Sequence, residues 1–149
     1  MGEIADTIYT DLPYSHQLER AVHYYKHNGN TEEYARALLY LGRAYVEDRN
    51  YENAMHAYLK ALNLSLSANN HNLAGYTDSY IGDLYYNQSS YDIALEKYLS
   101  AATHFKQANN KRSQAFAYRD AGRILCFEDS LNKALTFMQQ ASSILSQLK

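Results

Sequence analysis

The chain has 149 residues, of which 46% are hydrophobic and 20% charged, and its formal net charge is −2. That length holds one domain with its own core, and the near-balance of charge excludes the clustered Lys and Arg of a nucleic-acid-coating surface. A single cysteine, Cys126, excludes an internal disulfide, and no apolar run of about 18 residues is present to cross a bilayer. One proline and six glycines predict long, uninterrupted elements.

Residues 1–12 carry neither a basic stretch nor an apolar one behind it, so they do not read as a secretory leader. They read as an N-terminal extension or the remnant of a preceding helix. The first predicted helix spans 13–27 and carries His16, His23 and His27, the last two at i, i+4, a spacing that can hold a divalent metal. Forty residues on, the same columns hold His56, Asn63 and Ser67, and then Glu96, Thr103 and Gln107. All are polar, so a solvated face is expected here and no metal.

From residue 31 the chain repeats itself. Helices are predicted at 31–47 and 51–68, then at 71–87 and 91–108, then at 111–127 and 131–148. The offset is 40 residues without a gap. Gly42, Gly82 and Gly122 share a column, as do Ala54, Ala94 and Ala134, and Ala61, Ala101 and Ala141. Tyr45 and Tyr85 align with Leu125, and Tyr58 and Tyr98 with Met138. Within a repeat, Leu38, Leu41, Gly42 and Tyr45 follow helical spacing, and so do Ala54, Ala57, Tyr58 and Ala61. The first helix of each pair should therefore cross the second at glycine facing alanine, with Tyr and Leu filling the gaps around it. Each hairpin leaves one face uncovered, and stacking the next hairpin buries it. Asn50, Ser90 and Ser130 are placed to cap the second helices. Gly29, Asn69 and Asn109 are placed at the left-handed position that ends a helix, and Asn30, Asn70 and Asn110 at the next cap.

These columns resemble the tetratricopeptide repeat: Leu41-Gly42, Tyr45, Ala54, Tyr58 and Ala61, then Ile81-Gly82, Tyr85, Ala94, Tyr98 and Ala101, then Ala121-Gly122, Leu125, Ala134, Met138 and Ala141. The repeat is 40 residues long where the family's usual length is about 34, and the family's proline near the end of the second helix is absent. The 40-residue form is similar to the sensory repeats of bacterial signalling regulators of the Bacteroidetes type, and to those of spindle-orienting G-protein modulators. The resemblance implies an all-α, right-handed solenoid of about seven antiparallel helices. The domain would cover 13–149, with repeats at about 31–70, 71–110 and 111–149 behind the single helix 13–27.

No Ser-His-Asp signature, phosphate-cradling glycine loop or HExxH motif is present, and Cys126 reads as a lone half-buried thiol. A non-enzymatic module without cofactor is expected, one that holds a protein or peptide within a larger regulatory protein. Its ligand-binding face should lie opposite the core columns of the first helices. That selects Arg36, Leu39 and Arg43, then Tyr76, Asp83 and Tyr86, then Phe116, Arg119 and Arg123. Arg and Tyr dominate binding hot spots. The family's carboxylate clamp of Lys and Asn is not matched. The alternative is a structural assembly piece, a homodimer through the last helix, where Phe137, Met138, Ala141, Leu145 and Leu148 share a face with no successor to cover it. The chain is expected to be soluble, and cytoplasmic by default unless cut from a longer exported or membrane-anchored protein.

Overall fold

The computed structural model describes residues 14–148. Every regular element among them is an α-helix: α1 Tyr14–Asn28, α2 Thr31–Glu47, α3 Tyr51–Ser67, α4 His71–Asn87, α5 Tyr91–Gln107, α6 Lys111–Phe127 and α7 Leu131–Ser146. None is long and apolar enough to cross a membrane. The extension at 1–12 lies outside the described residues. Contacts divide the chain into two compact units, one ending at Ala68 and the other beginning at Asn69. In the first unit α2 packs on α1 and on α3; in the second, α4, α5, α6 and α7 pack each on the next. This is the α-solenoid manner of packing, in which contacts are made between sequence neighbours.

The signature columns are the core. Ala54, Ala61, Ala94, Tyr98 and Ala101 are fully buried, and Tyr58, Ala134 and Ala141 nearly so. The crossings, however, differ in kind from the expected glycine on alanine. A Cβ placed on Gly42 would meet the Tyr58 ring at 2.4 Å, and one on Gly82 the Tyr98 ring at 2.8 Å. Glycine in the first helix thus makes room for an aromatic ring from the second. At Gly122 the opposing atoms are Met138 Cε at 3.1 Å and the Ala134 carbonyl oxygen at 3.2 Å. Tyr45 is half-buried, and its hydroxyl donates to Glu19 Oε1 at 2.6 Å. Burial and that carboxylate push the phenol up to about 12.

The caps correct the sequence reading in three places. Asn30, Asn50, Asn70 and Asn110 each accept from a backbone N–H in the first turn, and Asn30 forms a reciprocal capping box with Glu33. Ser90 and Ser130 make no side-chain cap bond; their shorter side chains contribute only position. Asn69 and Asn109 adopt the expected left-handed backbone, with φ of 54° and 56°, but Gly29 does not. Gly29 is instead required by close approach: a Cβ there would lie 2.9 Å from the Tyr25 carbonyl oxygen and 3.0 Å from Glu33 Oε2. The turns inside each hairpin use the same device at Arg49 and Ser89, residues of no special tolerance, and at Asp129, which like Asn tolerates it, with φ of 59°, 60° and 54°.

Candidate functional site

The residues expected to bind a ligand fall in both units. In the first unit Arg36 is exposed on α2 and pairs with Glu32 one turn earlier, Nη2 to Oε1 at 3.0 Å. Arg43 is also exposed on α2. Leu39 is not available to a ligand: it is 5% exposed. Because α2 packs against both α1 and α3, its buried arc is wider than the single stripe read from periodicity, and Ala35, Ala37, Leu39 and Ala44 join the core.

In the second unit the selected residues of α4 and α6 meet. The Arg123 guanidinium sits 5.2 Å from the centroid of the Tyr86 ring, within the range of a cation–π contact. The Arg119 guanidinium lies 4.9 Å from the Phe116 centroid. Both arginines reach Asp120 Oδ1, at 3.4 Å and 3.3 Å. Those contacts are longer than a strong charge-assisted bond, about 2.7–2.9 Å. Asp83 accepts from the Tyr98 hydroxyl at 2.5 Å. Desolvation of its carboxylate raises it above the ordinary carboxylate range; the Tyr98 bond and Arg123 oppose that, and Asp120 adds to it. Tyr76 stands one end further along, edge-on to Phe105 with centroids 4.9 Å apart and with its hydroxyl 3.0 Å from Ser113 Oγ. Asp83, Tyr86, Arg119 and Arg123 are thus linked across α4 and α6 into one charged and aromatic face, with Phe116 under Arg119, while Tyr76 meets the start of α6 separately.

Asp120 belongs to that face and was not among the residues selected from the sequence. Burial raises its carboxyl, and the two flanking arginines hold it down. The signal was available: Arg123 lies three residues after it, within reach on a helix. A second omission is Asp78, which occupies the apolar column of Leu38 and is 1% exposed. Its Oδ2 accepts from Ser100 Oγ at 2.6 Å, and His104 Nε2 lies 3.6 Å away. Lys97 Nζ stands 3.9 Å from Oδ1, which has no hydrogen-bond partner. A charged residue in a leucine column was the legible sign of a buried polar cluster.

Burial raises the Asp78 carboxyl from its ordinary 3.8, with the Ser100 bond and the Lys97 and His104 charges opposing. A carboxyl raised in the fold stays protonated where the unfolded chain has already ionised. Its contribution to stability is therefore full below about pH 4 and is lost as pH rises through the folded value. Asp78→Asn, which cannot ionise, is expected to melt at an increasingly higher temperature than wild type as pH goes from 4 to 7. A gap that stays constant over that range would contradict the assignment.

Cys126, read as half-buried, is exposed, although Val46 and Tyr86 in the same column are half-buried. His16, His23 and His27 are exposed, as expected of a solvated face. Among the described residues no group of three His, Cys, Asp or Glu is placed to hold a metal ion.

The fold defines an all-α protein of helical hairpins repeating every 40 residues. No family model matches the sequence, and no curated protein matches it. Among solved structures it is similar to the crystal structure of BtubC (BKLC) from P. vanneervenii, with a TM-score of 0.78 and 18% identity. The match covers 90% of this chain and 56% of BtubC, so the chain spans little more than half the length of that protein. At that identity the likeness is one of fold.

Proposed function

We propose that the chain is a non-enzymatic protein- or peptide-binding module of the tetratricopeptide kind, serving a larger regulatory protein. In the second unit it grips an extended segment that carries acidic and apolar side chains. The observation that supports this most is the pair Arg119 and Arg123. Each guanidinium lies over an aromatic ring, Phe116 or Tyr86, and shares one carboxylate through single long contacts. Arginines held in this way lose little side-chain entropy when they meet a ligand, and their planar donors match a carboxylate in bidentate fashion. Tyr86, Phe116 and Tyr76 add rigid apolar area at low entropic cost. Asp83 and Asp120 restrict the choice of ligand, since an acidic group placed beside them is repelled.

A face of this size supports micromolar affinity, about −8 kcal/mol, and salt should weaken it, since exposed charge pairs are screened over about 8–10 Å. The test is a displayed random-peptide selection on the immobilised chain, with Arg119→Glu, Arg123→Glu as the counter-screen. Peptides containing Asp or Glu next to an apolar residue should be enriched, and the double variant, folded as wild type by circular dichroism, should bind them at least tenfold more weakly. Enriched peptides that bind the variant equally well would reject this face.

A further inference from the structure

Within the reading of the α4–α6 face as a peptide site, on which this inference rests, we propose that the face also selects a register. It takes a peptide whose acidic residue lies two positions from an aromatic one. The acid sits on Arg123, and the ring sits on a platform made by Tyr86, Tyr91 and Phe127. The platform joins three elements: the end of α4, the start of α5 and the end of α6. Phe127 stacks on Tyr91, with centroids 6.0 Å apart and planes 14° from parallel. Tyr86 lies 5.6 Å from Tyr91 and 6.4 Å from Phe127, and the Arg123 guanidinium stands 5.2 Å from the Tyr86 centroid. One cation and three rings thus meet at one end of the face.

Phe127 is the residue out of place. Its column holds Glu47 and Asn87, both exposed. Asn87 stays exposed although α5 packs on α4 and α6 packs on α5 in turn, so the column faces solvent where a further hairpin is stacked as well. Phe127 itself is 62% exposed. It is held on one side by two tyrosines and open on the other, so the ring is ordered before any ligand arrives and offers rigid apolar area at low entropic cost.

Charge decides which kind of side chain the platform takes. An aromatic cluster alone suits a cation as well as a neutral ring. Here Arg123 already lies over the Tyr86 ring, and a second cation beside it is repelled. A neutral aromatic side chain meets no such cost and can stack or pack edge-on.

Helix geometry sets the spacing. Arg123 and Phe127 are exposed i, i+4 neighbours, about 6 Å apart along the axis of α6. Such a row is inclined about 26° to the axis, which lengthens the step to about 6.7 Å. Residues i and i+2 of an extended peptide share one edge and stand about 6.6–6.8 Å apart, whereas adjacent residues point to opposite sides. An acid and a ring two positions apart therefore reach Arg123 and Phe127 together, and an adjacent pair does not.

The probes are three synthetic peptides in a serine-glycine context, carrying Asp-Ser-Phe, Asp-Phe or Asp-Ser-Ala, each also made in reversed order. In NMR titrations of the full chain, the Asp-Ser-Phe spacing, in one of its two orders, should bind about fivefold tighter than the other two peptides. It should also shift the signals of Tyr91 and Phe127. Phe127→Asn, which places in α6 the residue type this column holds at Asn87, should keep the fold by circular dichroism and abolish the preference. Phe127→Tyr, which keeps the ring, should retain it. Equal binding of the three peptides, or a preference that survives in Phe127→Asn, would overturn the register. If the Arg119→Glu, Arg123→Glu variant still loses peptide binding in that case, the peptide site stands without the register; if the variant binds as wild type does, both fall.

Discussion

Gly42→Ala is expected to lower the melting temperature by about 4–8 °C, whereas Gly122→Ala should leave it within about 2 °C of wild type. The two substitutions are chemically identical and occupy the same repeat column, so intrinsic propensity alone would stabilise both by about 1 kcal/mol. Packing separates them. The new Cβ at position 42 would lie 2.4 Å and 2.5 Å from two atoms of the Tyr58 ring. Tyr58 is 1% exposed and has nowhere to retreat. A contact this short belongs at the upper end of the overpacking cost, about 3 kcal/mol; net of the propensity gain about 2 kcal/mol remains, which at about 2–4 °C per kcal/mol for a chain of this size gives the stated shift. At position 122 the nearest atoms are Met138 Cε at 3.1 Å, the far end of a flexible thioether, and the Ala134 carbonyl oxygen at 3.2 Å, so a shift of a few tenths of an ångström suffices and the propensity gain offsets it. Thermal melts of the two variants followed by circular dichroism check the difference. Equal shifts would mean that the glycine column is not a helix crossing.

Tyr98→Ala should be the most damaging single truncation in the second unit. Tyr98 is fully buried and packs with Ala94, Ala121 and Ile124, tying α5 to α6. Removing a buried aromatic ring costs about 3–5 kcal/mol, a large part of the marginal stability of a small domain. Tyr98→Phe separates the ring from its hydroxyl. It keeps the packing and deletes only the bond to Asp83, so it should cost about 1 kcal/mol. It should also leave Asp83 less favourable as a carboxylate beside Asp120. Urea unfolding of both variants gives the comparison. A Phe variant as unstable as the Ala variant would show that the hydroxyl, not the ring, holds this crossing.

The architecture was legible because it is repeated. A 40-residue offset places one pattern three times, and each copy checks the others. The predicted helices 31–47, 71–87 and 111–127 coincide with α2, α4 and α6, and the rest differ by two residues or fewer at either end. What periodicity could not supply is the identity of the neighbour across each crossing. Gly42 was matched to an alanine when its true opposite is Tyr58, since a column records a position and not the direction of the opposing side chain. Leu39 was assigned to an open face on the assumption that a first helix has one buried stripe, whereas α2 is packed on two sides. The left-handed turns at Arg49 and Ser89 escaped because neither residue marks such a turn as Gly, Asn or Asp does, and with them the shared column that Asp129 completes. On the candidate face Tyr76, Arg119 and Arg123 are exposed and Tyr86 is half-buried. Asp120, which joins Arg119 to Arg123, was passed over because attention went to residue types that favour binding and not to the acid that positions them.

The most direct test of the account is an NMR titration of the isotope-labelled chain with an acidic peptide enriched by the selection described above. Perturbed signals should concentrate on Asp83, Tyr86, Phe116, Arg119, Asp120 and Arg123, and the perturbation should weaken as salt rises from 50 to 300 mM. Perturbations confined to residues outside α4 and α6, or binding indifferent to salt, would contradict it.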